Sequence, residues 1–295
     1  MSTAAPPVET VEAVAAVERR SWLALLRATG AAGVASAVAI AIAAFVAAFG
    51  PLLAPDSPYL GQLSSSYVGP TGGHLLGFDG QGRDLLSRLL GGARTSLVGP
   101  LAVVVICILA GTVLAVSAAW KRGTYDAVVS SGLDVLFAFP GILLAILAAA
   151  VFGAGLVAAS LALAVAYTPY VARVLRGAAL RERSQQYVAA LEVQGASAFS
   201  ICLRHLIPNM LPLIVAQATI LFGYAMVDLA AISFLGLGVQ PPNPDWGVMI
   251  AENQSGVVQS YPLAALAAGV CIVVVVVAFN ILGERLYDQA QAERR

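Results

Sequence analysis

The chain has 295 residues, of which 59% are hydrophobic and 11% charged, and a mean hydropathy of +0.86. Soluble domains carry about 25% charged residues, and a chain of this size cannot bury so much apolar surface in one aqueous core. This argues against a soluble enzyme, rules out a disordered chain and indicates an integral membrane protein. The formal net charge is zero, so nothing points to nucleic acid as a partner.

A membrane-crossing helix needs about 20 mostly apolar residues, so the gaps between charges locate the spans. Such gaps cover 28–55, 95–120, 135–172, 205–227 and 253–283. The third gap would form a helix of about 57 Å, nearly twice a ~30 Å hydrocarbon core. Gly153-Ala154-Gly155 near its middle turns it into a hairpin. Six spans are predicted: 31–53, 95–119, 132–152, 156–176, 209–236 and 262–283. Pro140 should kink the third.

Between the first two spans, Leu85, Leu86, Leu89 and Leu90 predict an amphipathic helix over 82–91, lying at the outer surface with Arg83, Asp84 and Arg88 off its apolar face. Sidedness follows from Lys and Arg placement. Thirteen of them fall on one side and only Arg83, Arg88 and Arg94 on the other. Both termini are therefore expected in the cytoplasm, with the loops 54–94 and 237–261 outside. The apolar run after Arg27 is too long for a signal peptide and is read as a retained span. Cys107, Cys202 and Cys271 lie in or beside apolar stretches and lack zinc or disulfide spacing.

The segment 177–208 has helical structure of its own. Residues 184–194 contain no Pro or Gly and end at Gly195, a natural helix terminus. Ser197 can cap a second short helix. Phe199, Cys202, Leu203 and Leu206 then form one apolar face, and Pro208 ends the helix. The product is a knob on the cytoplasmic face. It either lies on lipid headgroups or docks a partner. Arg173, Arg176, Arg181 and Arg183 are expected to anchor it to anionic lipid.

Further on, Gln217, Leu221, Tyr224 and Asp228 share one face of the fifth span. An ionisable residue at membrane depth is a functional candidate, so Gln217, Tyr224 and Asp228 are candidates for a polar path. The alternative for Asp228 is a packing hydrogen bond to a neighbouring helix. Asp134 is read as interfacial.

These residues resemble a known family. Tyr187-Val188-Ala189-Ala190-Leu191, Gly195-Ala196-Ser197 and Arg204-His205-Leu206-Ile207-Pro208-Asn209 resemble the EAA loop of ATP-binding-cassette importer permeases. His74-Leu75-Leu76-Gly77-Phe78-Asp79, Gly82 through Leu90, Gly92-Ala93-Arg94, Phe137 through Gly141, and Ser233 through Pro242 followed by Trp246-Gly247 extend the likeness. Together they resemble the second membrane subunit of the dipeptide/oligopeptide/nickel permeases. The resemblance implies an all-α type I permease fold with six transmembrane helices. It divides the chain into a tail (1–30), a first span with its external segment (31–94), a permease domain (95–288) containing the coupling loop 184–208, and a C-terminal tail (289–295).

By the same resemblance, Ala189, Ala190, Leu191, Glu192, Gly195, Ala196, Ser197, Phe199, Leu203, His205 and Pro208 couple to an ATPase subunit. The implied partners are a homologous permease, one or two ATPase subunits carrying ATP and Mg, and an extracytoplasmic binding protein. The implied site is the bacterial inner membrane. The implied cargo is a peptide, with a nickel chelate, glutathione or haem as alternatives. No cofactor is expected on this chain, and it contains no P-loop. The triplet departs from the family at Ala189, where glutamate is usual, and at Leu191. Either apolar contact takes over, or Glu192 substitutes. An intramembrane enzyme would need converging catalytic groups, whereas His74 and His205 fall on opposite sides. A secondary carrier would favour internal repeats, and none is visible.

Overall fold

A computed structural model describes residues 30–292, so the tail over 1–29 and the last residues, 293–295, lie outside the described residues. The first helix, α1 (Gly30–Leu53), is followed by a loop with one short 3-10 turn at Leu63–Ser65. Then come α2 (Leu85–Lys121), α3 (Gly123–Phe137), α4 (Gly141–Phe152) and α5 (Leu156–Arg183). Two short helices, α6 (Gln186–Val193) and α7 (Ala198–Ile201), lead through a π-helical turn (Cys202–Leu206) into α8 (Ile207–Phe234). The rest comprises α9 (Trp246–Glu252), α10 (Gln254–Val258) and α11 (Leu263–Ala292). Five helical segments are long and apolar enough to cross a membrane, and the bent pair α3–α4 makes a sixth.

The core lies where α2 packs on α5 and α8 on α11, with α1 against α2 and α11. Lipid tails are as apolar as leucine, so helices in a membrane associate through close packing and small residues. Ala115, Ala118 and Ala119 of α2, and Ala172, Ala178 and Ala179 of α5, are accordingly buried. On the outer faces, by contrast, Val113, Val151, Val157 and Val273 are exposed, as lipid-facing positions should be.

Three expectations change. Pro140 breaks the third span rather than kinking it: α3 and α4 meet at 80°. Pro140 has no N–H to continue the ladder and sits in an extended conformation (φ −60°, ψ 131°) at the start of α4. Pro208 does not end the short helix. It falls in the first turn of α8, and the π turn hands the chain on, with the Ile207 N–H bonded to the Cys202 carbonyl. Ala198–Phe234 is thus one 37-residue helical run.

The third change concerns 82–91. No separate surface helix forms; α2 starts at Leu85 and runs unbroken for 37 residues. The charged residues at its start face inward, with Arg83, Asp84 and Arg88 at 4%, 1% and 0% exposure. Arg83 donates through Nε to Asp79 (2.7 Å) and through Nη2 to Glu252 (2.7 Å). Arg88 donates to the same Glu252 oxygen (2.8 Å) and to the carbonyls of Pro58 (3.1 Å) and Pro242 (3.3 Å). Its Nε lies 3.5 Å from Asp79. Two cations and two anions thus close a neutral buried quartet joining residues up to 173 apart, counting the bond from Gly80 N–H to Asn253. Asp84 caps α2 by accepting from Ser87 N–H (2.7 Å) and also faces His74 Nδ1 (2.9 Å).

Removing one partner of a buried ion pair strands the other charge and costs about 3–5 kcal/mol. Glu252→Gln is therefore expected to lower the melting temperature of the purified protein sharply. Exchanging the exposed Glu192 for Gln should leave it almost unchanged.

Candidate functional site

At the end of the bundle opposite the quartet, α6 and α7 project as a knob. Gln194 and Gly195 make the turn between them; Gly195 has φ +80°, a conformation that an L side chain adopts only at a cost. Ser197 caps α7, its hydroxyl accepting from Ser200 N–H.

The knob is held by polar contacts at its base. Tyr187 donates to Glu182 (2.8 Å), and Asn209 donates to both Glu182 (2.9 Å) and the Tyr187 hydroxyl (3.1 Å). Burial, with the Glu182 bond second, pushes the Tyr187 phenol up to about 12, so it stays a neutral donor. Arg183 donates to the Ala119 (2.9 Å) and Trp120 carbonyls at the end of α2, its guanidinium 4.6 Å from the Trp120 ring centre. Val188, Ile201 and Leu206 are buried beneath.

The expected apolar face is thereby divided. Leu206 faces the core, while Phe199 (76%) and Leu203 (52%) stand exposed with Val193 (89%). Ala189, Ala190, Glu192, Gly195 and Ser197 are exposed around them; Leu191, Ala196 and His205 are half-buried. Sequence reasoning missed Val193, whose place directly before the Gly195 turn was the available signal. The arginine row behaves differently from the lipid anchors expected. Arg173 pairs with Asp134 (2.7 Å) and Arg176 with both carboxylate oxygens of Asp126, which fastens α5 to α3. Arg181 is exposed and makes no such bond among the described residues.

In the middle of the bundle, Asp228 accepts from the Tyr167 hydroxyl of α5 at 2.6 Å. Tyr224, one turn earlier, points out of the bundle at 57% exposure. Gln217 is buried (5%), and its Oε1 has no hydrogen-bond partner. The three residues share a helix but differ in exposure, Gln217 being buried, Asp228 half-buried and Tyr224 exposed. Tyr167 was missed; it lies in the fourth span with no neighbouring charge to flag it. Among the described residues no cluster of three His, Cys, Asp or Glu could hold a metal.

A bundle of apolar spans with a stiff helical knob on one end is the architecture of a membrane transport component. The family model for the binding-protein-dependent transport system inner membrane component matches residues 80–292, and the chain belongs to that family. It is 39% identical over 220 residues to a glutathione transport system permease protein (GsiD) of Pectobacterium atrosepticum, covering 75% of this chain and 73% of that protein. It is 36% identical over 240 residues to a dipeptide transport system permease protein (DppC) of Alkalihalophilus pseudofirmus, covering 81% and 79%. The fold matches a chain of the inward-facing MetNI methionine ABC transporter with a TM-score of 0.56 and 22% identity, over 69% of this chain and 96% of that one. The protein is thus an inner-membrane permease subunit of an ATP-binding-cassette importer, with the type I fold; it is a transport subunit and not itself the ATPase. Importers of this class operate with ATPase and substrate-binding partners.

Gly195→Ala places a Cβ on a left-handed residue, at about 1–2 kcal/mol, or a 5–30-fold change in a local opening equilibrium. Amide hydrogen exchange over 186–206 should accelerate by that factor, while exchange in the middle of α2 stays unchanged.

Proposed function

We propose that this chain is one of two homologous membrane subunits of an importer for di- and oligopeptides, and that residues 184–208 carry the motion of an ATPase subunit into the spans. The observation that supports this reading best is the knob itself. Its tip offers Val193, Phe199 and Leu203 to a partner, and its base is fixed by Arg183, Tyr187 and Asn209. An exposed apolar tip suits a groove on another protein, as in helix-in-groove contacts. Glu192, exposed beside it, is the acid nearest the missing glutamate of the triplet. The apolar residues supply the main contact, with Gly195, Ala196 and Ser197 setting the angle between the two helices and His205 and Pro208 the join to α8.

Sidedness is part of the proposal: the knob and both termini are cytoplasmic. What supports it is the placement of Lys and Arg, thirteen on the knob side against three on the other. The partners are a homologous permease, one or two ATPase subunits binding ATP and Mg, and an extracytoplasmic binding protein that delivers cargo to the face formed by 54–84 and 237–262.

For the path, Tyr224 and Asp228 would line the seam with the homologous subunit. Gln217 lies three turns nearer the knob, where its unpaired oxygen would be met as that end opens. The relatives transport glutathione and dipeptides by name; both are small peptides with an α-ammonium, which suits a carboxylate such as Asp228. Glutathione itself is the second reading, favoured by the 39% identity to the glutathione permease.

Replacing Phe199 and Leu203 with Asp should abolish ATP-driven peptide uptake and co-purification of the ATPase, with the spans still inserted. Unchanged uptake in vesicles would reject the docking role. Asp228→Asn should cut uptake ten-fold or more, the effect of losing a hydrogen bond to a charged group at about 1.5–3 kcal/mol, while subunit assembly persists. Normal uptake kinetics would return Asp228 to a packing role with Tyr167. A competition assay of labelled dipeptide against glutathione decides between the two cargo readings.

A further inference from the structure

Between α1 and α2 lies a cleft of about 590 Å3, within the roughly 300–1,000 Å3 of small-molecule sites. Its origin is local. Gly50 brings the α1 backbone against α2 so closely that a Cβ there would sit 2.3 Å from the Leu90 carbonyl oxygen. Farther toward the knob end, α1 presents Ala43, Ala44 and Ala47, one helical face of small side chains. They cannot fill the space opposite Leu97 and Leu101, and the helices part. The floor is Phe222 and Phe279 of α8 and α11, stacked with ring centres 3.9 Å apart.

One charged group lines this apolar cleft. Arg94, one turn beyond Leu90, is exposed and lacks a hydrogen-bond or ion-pair partner among the described residues. It shares the cleft with Ala47, six residues inside the end of α1 at Leu53, or about 9 Å by helical rise. A guanidinium at that depth is costly unless paired. The acid packed beside this stretch of α2, Asp245 at Gly92 and Ser96, is committed to the Ser96 hydroxyl and the first amides of α9, and Asp79 and Glu252 are committed to Arg83 and Arg88.

We propose that this cleft binds an anionic phospholipid, its phosphate on Arg94 and one acyl chain along the alanine face to Phe222 and Phe279. The guanidinium fork matches a phosphate bidentately. Water does not settle in so apolar a space, and an empty cleft forfeits dispersion contacts along its walls. A hydrocarbon chain gains little by leaving other chains in the bilayer, so the preference for this lipid rests on its charge. The site is independent of the transport reading, since it needs only a membrane.

The test takes the complex purified in its native assembly, reconstituted in nanodiscs holding equal phosphatidylglycerol and phosphatidylcholine. Native mass spectrometry then counts the lipids retained. One arginine near a membrane surface is worth about a five-fold preference, so wild type should retain phosphatidylglycerol about five-fold over phosphatidylcholine. Arg94→Gln should bring the ratio to one, Arg94→Lys should keep most of it, and Ala47→Leu, which fills the cleft, should lower the total. Equal retention by wild type, or an undiminished preference in Arg94→Gln, overturns the proposal. So does a cross-link from Ala47→Cys to another subunit, which would make the cleft a protein interface.

Discussion

The buried quartet of Asp79, Arg83, Arg88 and Glu252 is the constraint on which the rest of the structure hangs. Each of these charges taken from water alone would cost several kcal/mol. Their sum is zero, and each guanidinium meets carboxylates or carbonyls, so the cost is met only when all four assemble. Assembly requires the loop after α1, the start of α2 and the end of α9 to converge. The contacts around it follow the same geometry: Tyr67 stacks on Tyr261 at 5.2 Å, and the Trp246 indole donates to the Leu89 carbonyl at 3.0 Å. Asp245 caps α9 while accepting from Ser96 of α2 at 2.7 Å, and burial pushes its carboxyl pKa up. With its first turns fixed in this way, α2 is the post against which α5, α1 and α8 pack.

The opposite end is built differently. Its polar contacts are fewer and lie at the base of the knob, leaving the tip free for a partner. The knob is also continuous with a span. From Phe199 to Asp228 the helical run covers 30 residues, or about 44 Å of rise. One helix therefore connects the tip to the Tyr167–Asp228 pair. The π turn at Cys202–Leu206 lies on that route, followed by Pro208 and Pro212, which lack an N–H, and π turns commonly mark functional sites. Arg183 meanwhile grips the end of α2, so the knob's base moves with the post as well as with α8.

Much of this was legible in the sequence. Spans were found because a bilayer demands apolar length, and charges interrupt it at Arg27, Asp56 and Lys121, whereas α2 runs on through Arg94. Gly195 announced its turn because few other residues tolerate that backbone. The failures share a cause: they depend on residues distant in the chain. Arg83 and Arg88 read as a solvated face because Glu252, which neutralises them, lies more than 160 residues away. Arg173 and Arg176 read as lipid anchors because Asp134 and Asp126 belong to another helix. The helical wheel through Gln217, Tyr224 and Asp228 was correct as geometry, yet it could not say which neighbours cover each position. Proline was misjudged in both directions. Pro140 sits in extended backbone at the start of α4 and breaks the span, whereas Pro208 follows a π turn within a continuous helical run.

Charge pairing then sorts the molecule into parts that serve the fold and parts that face outward. Arg83, Arg88, Arg173, Arg176 and Arg183 all find partners within the chain, and each ties two elements together. Glu192 on the knob and Arg94 in the lateral cleft, like Arg181, find none among the described residues. A membrane chain with so few charges carries little spare ionic capacity, and an unpaired charge beside apolar surface is hard to account for by the fold alone. In both places exposed apolar side chains accompany it: Val193, Phe199 and Leu203 at one, Val98 and Leu101 at the other. The two surfaces differ in what can complete them. The knob protrudes beyond the spans on stiff helices, which suits a folded partner. The cleft is recessed at membrane depth and walled by alanine, which suits a flexible chain bearing one negative group.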